Sequence, residues 1–138
     1  EEKDPDAFLM LNEAFAKLNN GDFNESKLLP FYFYSLWNFL GHMGYKPDLF
    51  SCVLCGQKLI QGRLSFSFED GGIICPRCFS KATKGDKMPI GSDEVKILRL
   101  FFAKPWEEAK KIKMENPIRL NLNKILERYF RQIKLTAD

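Results

Sequence analysis

Two Cys-x-x-Cys pairs, Cys52-Val53-Leu54-Cys55 and Cys75-Pro76-Arg77-Cys78, stand nineteen residues apart in a chain of 138. No other feature restricts the fold as much. Each pair forms a tight turn that offers two thiolates to one ion, and the interval matches the spacing of four-cysteine zinc sites. If the segment between the pairs folds back on itself, the four sulfurs complete a tetrahedron ~2.3 Å from one metal. Gly56 supplies permissive backbone directly after the first pair. Four thiolates on Zn²⁺ leave a net negative charge, which Lys58, Arg63, Arg77 and Lys81 stand close in sequence to offset. Two disulfides are the alternative, disfavoured by the adjacency within each pair and by the absence of a secretion signal. Iron is a further competitor, because a four-thiolate site also suits rubredoxin-like electron transfer and ligand softness does not separate the two metals. Protein fills all four positions, so no place is left for water or substrate. The Zn²⁺ is therefore expected to be structural, stabilising the fold rather than catalysing a reaction.

The segment between the pairs supports this. Arg63-Leu64-Ser65-Phe66-Ser67-Phe68-Glu69 alternates apolar and polar, the period of a half-buried strand. Asp70-Gly71-Gly72 reads as a turn and Ile73-Ile74 as the return strand, giving a β-hairpin held between the cysteines. Such an insert is too small to bury its own core and needs a metal staple.

Both flanks are helical in texture. Asp4-Pro5 reads as the N-cap and first turn of a helix with Phe8, Leu11, Phe15 and Leu18 on one stripe, stopped at Asn19-Asn20-Gly21. Ser26 caps a second helix, which turns Phe33, Leu36, Trp37 and Leu40 to the core and ends at Gly44, before Pro47. The short link makes these two antiparallel neighbours. Ser92 caps a later helix with Asp93 and Glu94 in its first turn; Val95, Leu98, Phe101 and Phe102 form its buried face, and Pro105 ends it. Pro105 to Ile112 is helical again. The last helix repeats Leu122, Ile125, Leu126, Tyr129, Phe130 and Ile133 at helical spacing. The expected fold is mainly α, a helical bundle with an inserted zinc-ribbon β-hairpin module. Residues 1–50 would form a helical hairpin, 51–84 the ribbon, and 85–138 the helices that complete the bundle.

Leu28 to Tyr45 is 18 residues without a charge, about 27 Å as a helix. Ser35, Asn38 and His42 lay one polar stripe along it, which suits a central bundle helix rather than a membrane span. Aromatic residues make up 14% of the chain, enough to build a dense core from this texture. Consecutive Phe31, Tyr32, Phe33 and Tyr34 point all round a helix, so most of them belong to packing rather than to a base-stacking surface. No nucleophile–base pattern, phosphate loop or dinucleotide glycine motif occurs. His42 is the single histidine, and Glu107-Glu108 are adjacent carboxylates that point apart on a helix. An enzyme is not expected.

The net charge of +3 is unevenly placed. Residues 1–50 hold four Lys/Arg against eight Asp/Glu, a net −4, and residues 51–138 hold seventeen against ten, a net +7. Lys81, Lys84 and Lys87 follow the second cysteine pair. Lys104, Lys110, Lys111 and Lys113 surround the short helix, and Lys124, Arg128 and Arg131 line the last one. Spaced Lys/Arg sets of this kind hold nucleic-acid phosphates with strong salt dependence, and serve equally as a solubilising face.

These residues also carry a family resemblance. Phe33 to Cys55, with Leu36, Leu40, Gly44-Tyr45-x-Pro47-x-Leu49 and the first cysteine pair followed by Gly56, resembles the C-terminal domain of the bacterial recombination mediator RecO. The likeness continues through Phe68, Gly72 and the second pair, the Ser92 helix, and the terminal helix at Leu126 to Ile133. It implies a DNA-repair mediator of the RecFOR pathway, located in the cytoplasm at the nucleoid. Such a protein binds single- and double-stranded DNA and anneals strands. With RecR and the single-stranded-DNA-binding protein SSB, it helps to load RecA on SSB-coated single strands. Cys52, Cys55, Cys75 and Cys78 correspond to the family's metal ligands. The resemblance also implies a preceding OB-fold, for which residues 1–50 show no five-strand pattern, so Glu1 is expected to mark a cut. A stand-alone zinc-ribbon nucleic-acid-binding module and a rubredoxin-like iron protein remain the alternatives.

Overall fold

The computed structural model describes residues 28–81 and 86–137. The expected first helix, the Ser26 cap and Lys84 lie outside the described residues. Among the described residues four α-helices and one three-stranded antiparallel sheet follow in chain order: α1 (Leu28–Leu40), β1 (Leu64–Ser67), β2 (Gly72–Ile74), β3 (Lys87–Ile90), α2 (Ser92–Ala103), α3 (Trp106–Ala109) and α4 (Asn116–Ala137). Among the described residues no helix is long and apolar enough to cross a membrane.

The apolar run of α1 stops in a widened turn, Gly41–Tyr45, where Gly44 takes a φ of 93° that an L side chain rarely adopts. Of the polar stripe, Asn38 is consumed in packing. Its Nδ2 donates to the Tyr34 and Phe101 carbonyls at 2.9 Å each, tying α1 to α2, while His42 lies exposed. The expected Ser92 cap shifts by one residue. Gly91 is the N-cap of α2, and its N–H donates to the Glu94 carboxylate at 2.6 Å. Pro105 ends α2 as expected, and α4 starts at Asn116 with all six of the stripe residues buried.

The sheet order is β2-β1-β3. β1 pairs with β2 through Phe66↔Ile73 and with β3 through Phe66↔Met88. The hairpin is as expected, but the alternation in β1 does not make it half-buried. As the central strand it is covered on both faces, and Ser65 and Ser67 are buried with Leu64 and Phe66. Ser67 satisfies its hydroxyl by donating to Asp70 Oδ2 at 2.8 Å. The segment from Asp48 to Val53 runs beside β2: Asp48 and Gly72 bridge in parallel, and Val53 N–H donates to the Ile73 carbonyl at 3.0 Å. A Cβ at Gly72 would lie 2.3 Å from Val53 Cγ1 and 2.9 Å from the Asp48 carbonyl, so only glycine admits this approach.

The core sits where helices meet sheet. Trp37 of α1, Phe66 of β1 and Tyr129 of α4 form an aromatic triangle with ring centroids 5.2–6.3 Å apart. Tyr129 also donates its hydroxyl to the Tyr45 carbonyl at 2.8 Å. Burial pushes its phenol up to about 12. An unfolded chain would release this proton first, near pH ~10. The stability that Tyr129 contributes is therefore fully present below that pH and is lost as pH rises towards 12. Urea unfolding from pH 8 to 11 should show this loss relative to Tyr129→Phe. That variant should itself start about 1 kcal/mol less stable for want of the Tyr45 bond.

Candidate metal centre

The two cysteine turns are built differently. In the first, Cys52 N–H donates to the Gln57 carbonyl and Gly56 N–H to the Cys52 carbonyl, both at 2.8 Å, with Gly56 at φ 77° closing the loop. The second begins where β2 ends. Cys75 follows Ile74, and Cys78 N–H donates to the Cys75 carbonyl at 3.1 Å in the 3₁₀ turn Pro76–Lys81. Pairing between Val53 and Ile73 sets one turn against the other.

The result is a compact sulfur cluster. All four Sγ atoms lie within 4.8 Å of one another, and Cys55 and Cys75 Sγ are 3.8 Å apart. A tetrahedron with ~2.3 Å metal–sulfur arms has edges of about 3.8 Å, so the donor set fits one ion. A disulfide needs ~2.05 Å between sulfurs; the four cysteines are free thiols. Cys52 and Cys78 are buried, Cys75 is half-buried and Cys55 faces solvent.

Electrostatics argue the same way. Burial opposes ionisation of Cys52, but N–H groups of Cys75, Cys55 and Leu54 outweigh it and bring its thiol down to about 6. Cys75 N–H lies 3.4 Å from Cys52 Sγ. Burial, the hydrogen bonds that its own S–H donates to the Cys75, Cys55 and Cys52 sulfurs, and the Cys52 charge push Cys78 up to about 12. Thiolates this close repel one another, and a bound divalent cation removes that conflict. The four-cysteine cluster fits zinc binding.

The basic residues read from the sequence fall on three parts of the surface. Lys81 ends the turn that carries Cys78 and is exposed. Lys104 follows α2, and Lys110, Lys111 and Lys113 surround the end of α3, all exposed; Lys110 pairs with exposed Glu107 at 2.6 Å. Lys124, Arg128 and Arg131 share the outward face of α4. Arg128 lies over the Phe68 ring, 4.5 Å from its centroid, and Arg131 pairs with Glu127. Absent from that set is Arg99. Its guanidinium donates twice to the Leu49 carbonyl, at 2.7 and 2.9 Å, and stacks 4.7 Å from the Phe50 ring centroid. Only folding brings these two residues together, so nothing in the local sequence pattern marks them.

Comparison with known proteins follows the same lines. The family model described as "Recombination protein O C terminal" matches residues 1–133. A "DNA repair protein RecO" of Bacillus pumilus (strain SAFR-032) is 32% identical over 132 residues, covering 94% of this chain and 48% of that protein. The protein of the same name from Bacillus subtilis (strain 168) is 29% identical over 134 residues, covering 96% and 49%. One from Dehalococcoides mccartyi (strain ATCC BAA-2266 / KCTC 15142 / 195) is 32% identical over 136 residues, covering 93% and 51%. The chain thus spans about half the length of the curated relatives it matches. No solved structure matches it.

Proposed function

The chain belongs to the RecO C-terminal family, and from that premise we propose that it is the C-terminal part of a recombination mediator acting in DNA repair. Its architecture is read as a mainly α bundle into which residues 51–84 insert a zinc ribbon. Cys52, Cys55, Cys75 and Cys78 hold Zn²⁺, which neutralises the converging thiolates and cross-links the two turns when bound. The protein's own part is to present those thiolates, two of them buried. With every ligand position taken by cysteine, the role is binding rather than catalysis. The four-sulfur cluster within a family-matching chain is the observation that carries this reading.

Function then rests on surfaces. The exposed cations after the ribbon, around α3 and on α4 hold phosphates of single- and double-stranded DNA during annealing. Other faces meet RecR and SSB, so that RecA loads on SSB-coated single strands in the cytoplasm. Salt-titrated binding of a labelled oligonucleotide by this chain tests the phosphate reading. A Lys113→Glu/Lys124→Glu variant should bind more weakly by about tenfold at low salt. Its log–log salt slope should fall by ~0.7 for each phosphate that is no longer neutralised. Undiminished binding by that variant would remove these residues from the interface, and no binding by the parent chain at low salt would sink the basic-face proposal.

A further inference from the structure

The surface around Arg99 is a cationic platform with an aromatic ring at its centre. Phe50 is 60% exposed, yet its backbone is fixed: its N–H donates to Asp48 Oδ1 at 3.2 Å and its carbonyl accepts from Leu59 N–H at 2.9 Å. One face of the ring rests on the Arg99 guanidinium, which the Leu49 carbonyl holds in place. Covering a large apolar ring held out on an anchored backbone is favourable.

Two hollows meet at Arg99. The larger, about 310 Å³, lies between Lys46, Phe50 and Phe102, with Lys46 Nζ 5.4 Å from the Phe102 ring centroid. The smaller, about 100 Å³, is bordered by Lys96 and by Ile60, which is 74% exposed. Asp48 is the one carboxylate lining either hollow, and its Oδ1 already accepts from the Phe50 and Ser51 N–H groups. Three cations thus face a single, occupied acid. Arg99 has five N–H donors, two of which go to Leu49, and no carboxylate pairs with it among the described residues.

We infer that this platform is a binding site for single-stranded nucleic acid, with a base stacked on the Phe50 ring and phosphates held by Lys46, Lys96 and Arg99. An open ring face backed by a guanidinium is what an unpaired base stacks on, while a duplex keeps its bases stacked inside. The inference rests on the nucleic-acid reading above and adds a site that uses none of its cations.

Fluorescence anisotropy of labelled oligo-dT with the zinc-supplemented chain tests it, using an abasic backbone of equal length and poly-glutamate as comparison probes. Phe50→Ala should weaken oligo-dT binding about tenfold, Phe50→Tyr should restore it, and the abasic strand should not distinguish the three proteins. Lys46→Glu/Lys96→Glu should weaken both strands and flatten the salt slope. Parent-level oligo-dT binding in the Phe50 and lysine variants would overturn this site while leaving the basic faces of α3 and α4 intact. Displacement of oligo-dT by poly-glutamate equally well in parent and Phe50→Ala would overturn the stacking and point to an acidic protein partner. Failure of the parent chain to bind any strand would remove the broader reading as well.

Discussion

Replacing Cys78 by Ser is expected to abolish tight zinc binding and to unfold the chain from the first cysteine turn through β2. Cys78 is buried, its backbone closes the second turn, and its sulfur lies among three others within 4.8 Å. Loss of one ligand leaves three converging thiols with no cation to reconcile them. Structural zinc in zinc-finger peptides binds with about 10–16 kcal/mol of apparent free energy, so losing the ion removes a large part of what holds the two cysteine turns together. The consequence extends to the sheet. Val53 N–H donates to the Ile73 carbonyl, Asp48 N–H to the Gly71 carbonyl and Ile73 N–H to the Asp48 carbonyl, and β2 runs directly into Cys75. Thermal unfolding monitored with and without a chelator checks this: chelation should lower the midpoint of the parent and leave Cys78→Ser unchanged. Equal stability of the two proteins with metal present would show that the cluster is not a staple.

The second large effect is expected at Phe66. Its ring is fully buried in the central strand and packs 5.2 Å from Tyr129, 5.3 Å from Phe68 and 6.3 Å from Trp37. Phe66→Ala removes the ring that α1, β1 and α4 share, and the surrounding rigid rings cannot collapse into the space. Denaturant unfolding should show a loss of about 3–5 kcal/mol. A change below 1 kcal/mol would mean that helices and sheet do not share one core. Phe66→Leu, which keeps most of the apolar volume, should recover part of the loss.

How much of this was legible in the sequence depends on how local each signal is. The stripe of α4 is a helical period written in consecutive turns, so its buried and exposed faces read directly. The cysteines read as well, because ligand spacing is itself the constraint. β3 did not read at all. Lys87-Met88-Pro89-Ile90 is too short for a period to stand out and contains a proline, and it becomes a strand only by pairing with β1 at the sheet edge. Adding that neighbour also buries Ser65 and Ser67, against the half-buried pattern that alternation suggests. Gly91 supplants Ser92 as the cap because Glu94 reaches back to the Gly91 N–H. The Phe50–Arg99 stack joins residues far apart in sequence through the Leu49 carbonyl, an approach that no periodicity encodes. Where chemistry is set by spacing the site was visible, and where it is set by tertiary approach it was not.

Native mass spectrometry of the chain, purified without added metal or oxidant, addresses the central claim most directly. One zinc per chain, with all four cysteines reduced and the protein colourless, is the predicted result. A coloured protein carrying iron, or a metal-free species with Cys52–Cys55 and Cys75–Cys78 oxidised as pairs, would contradict it.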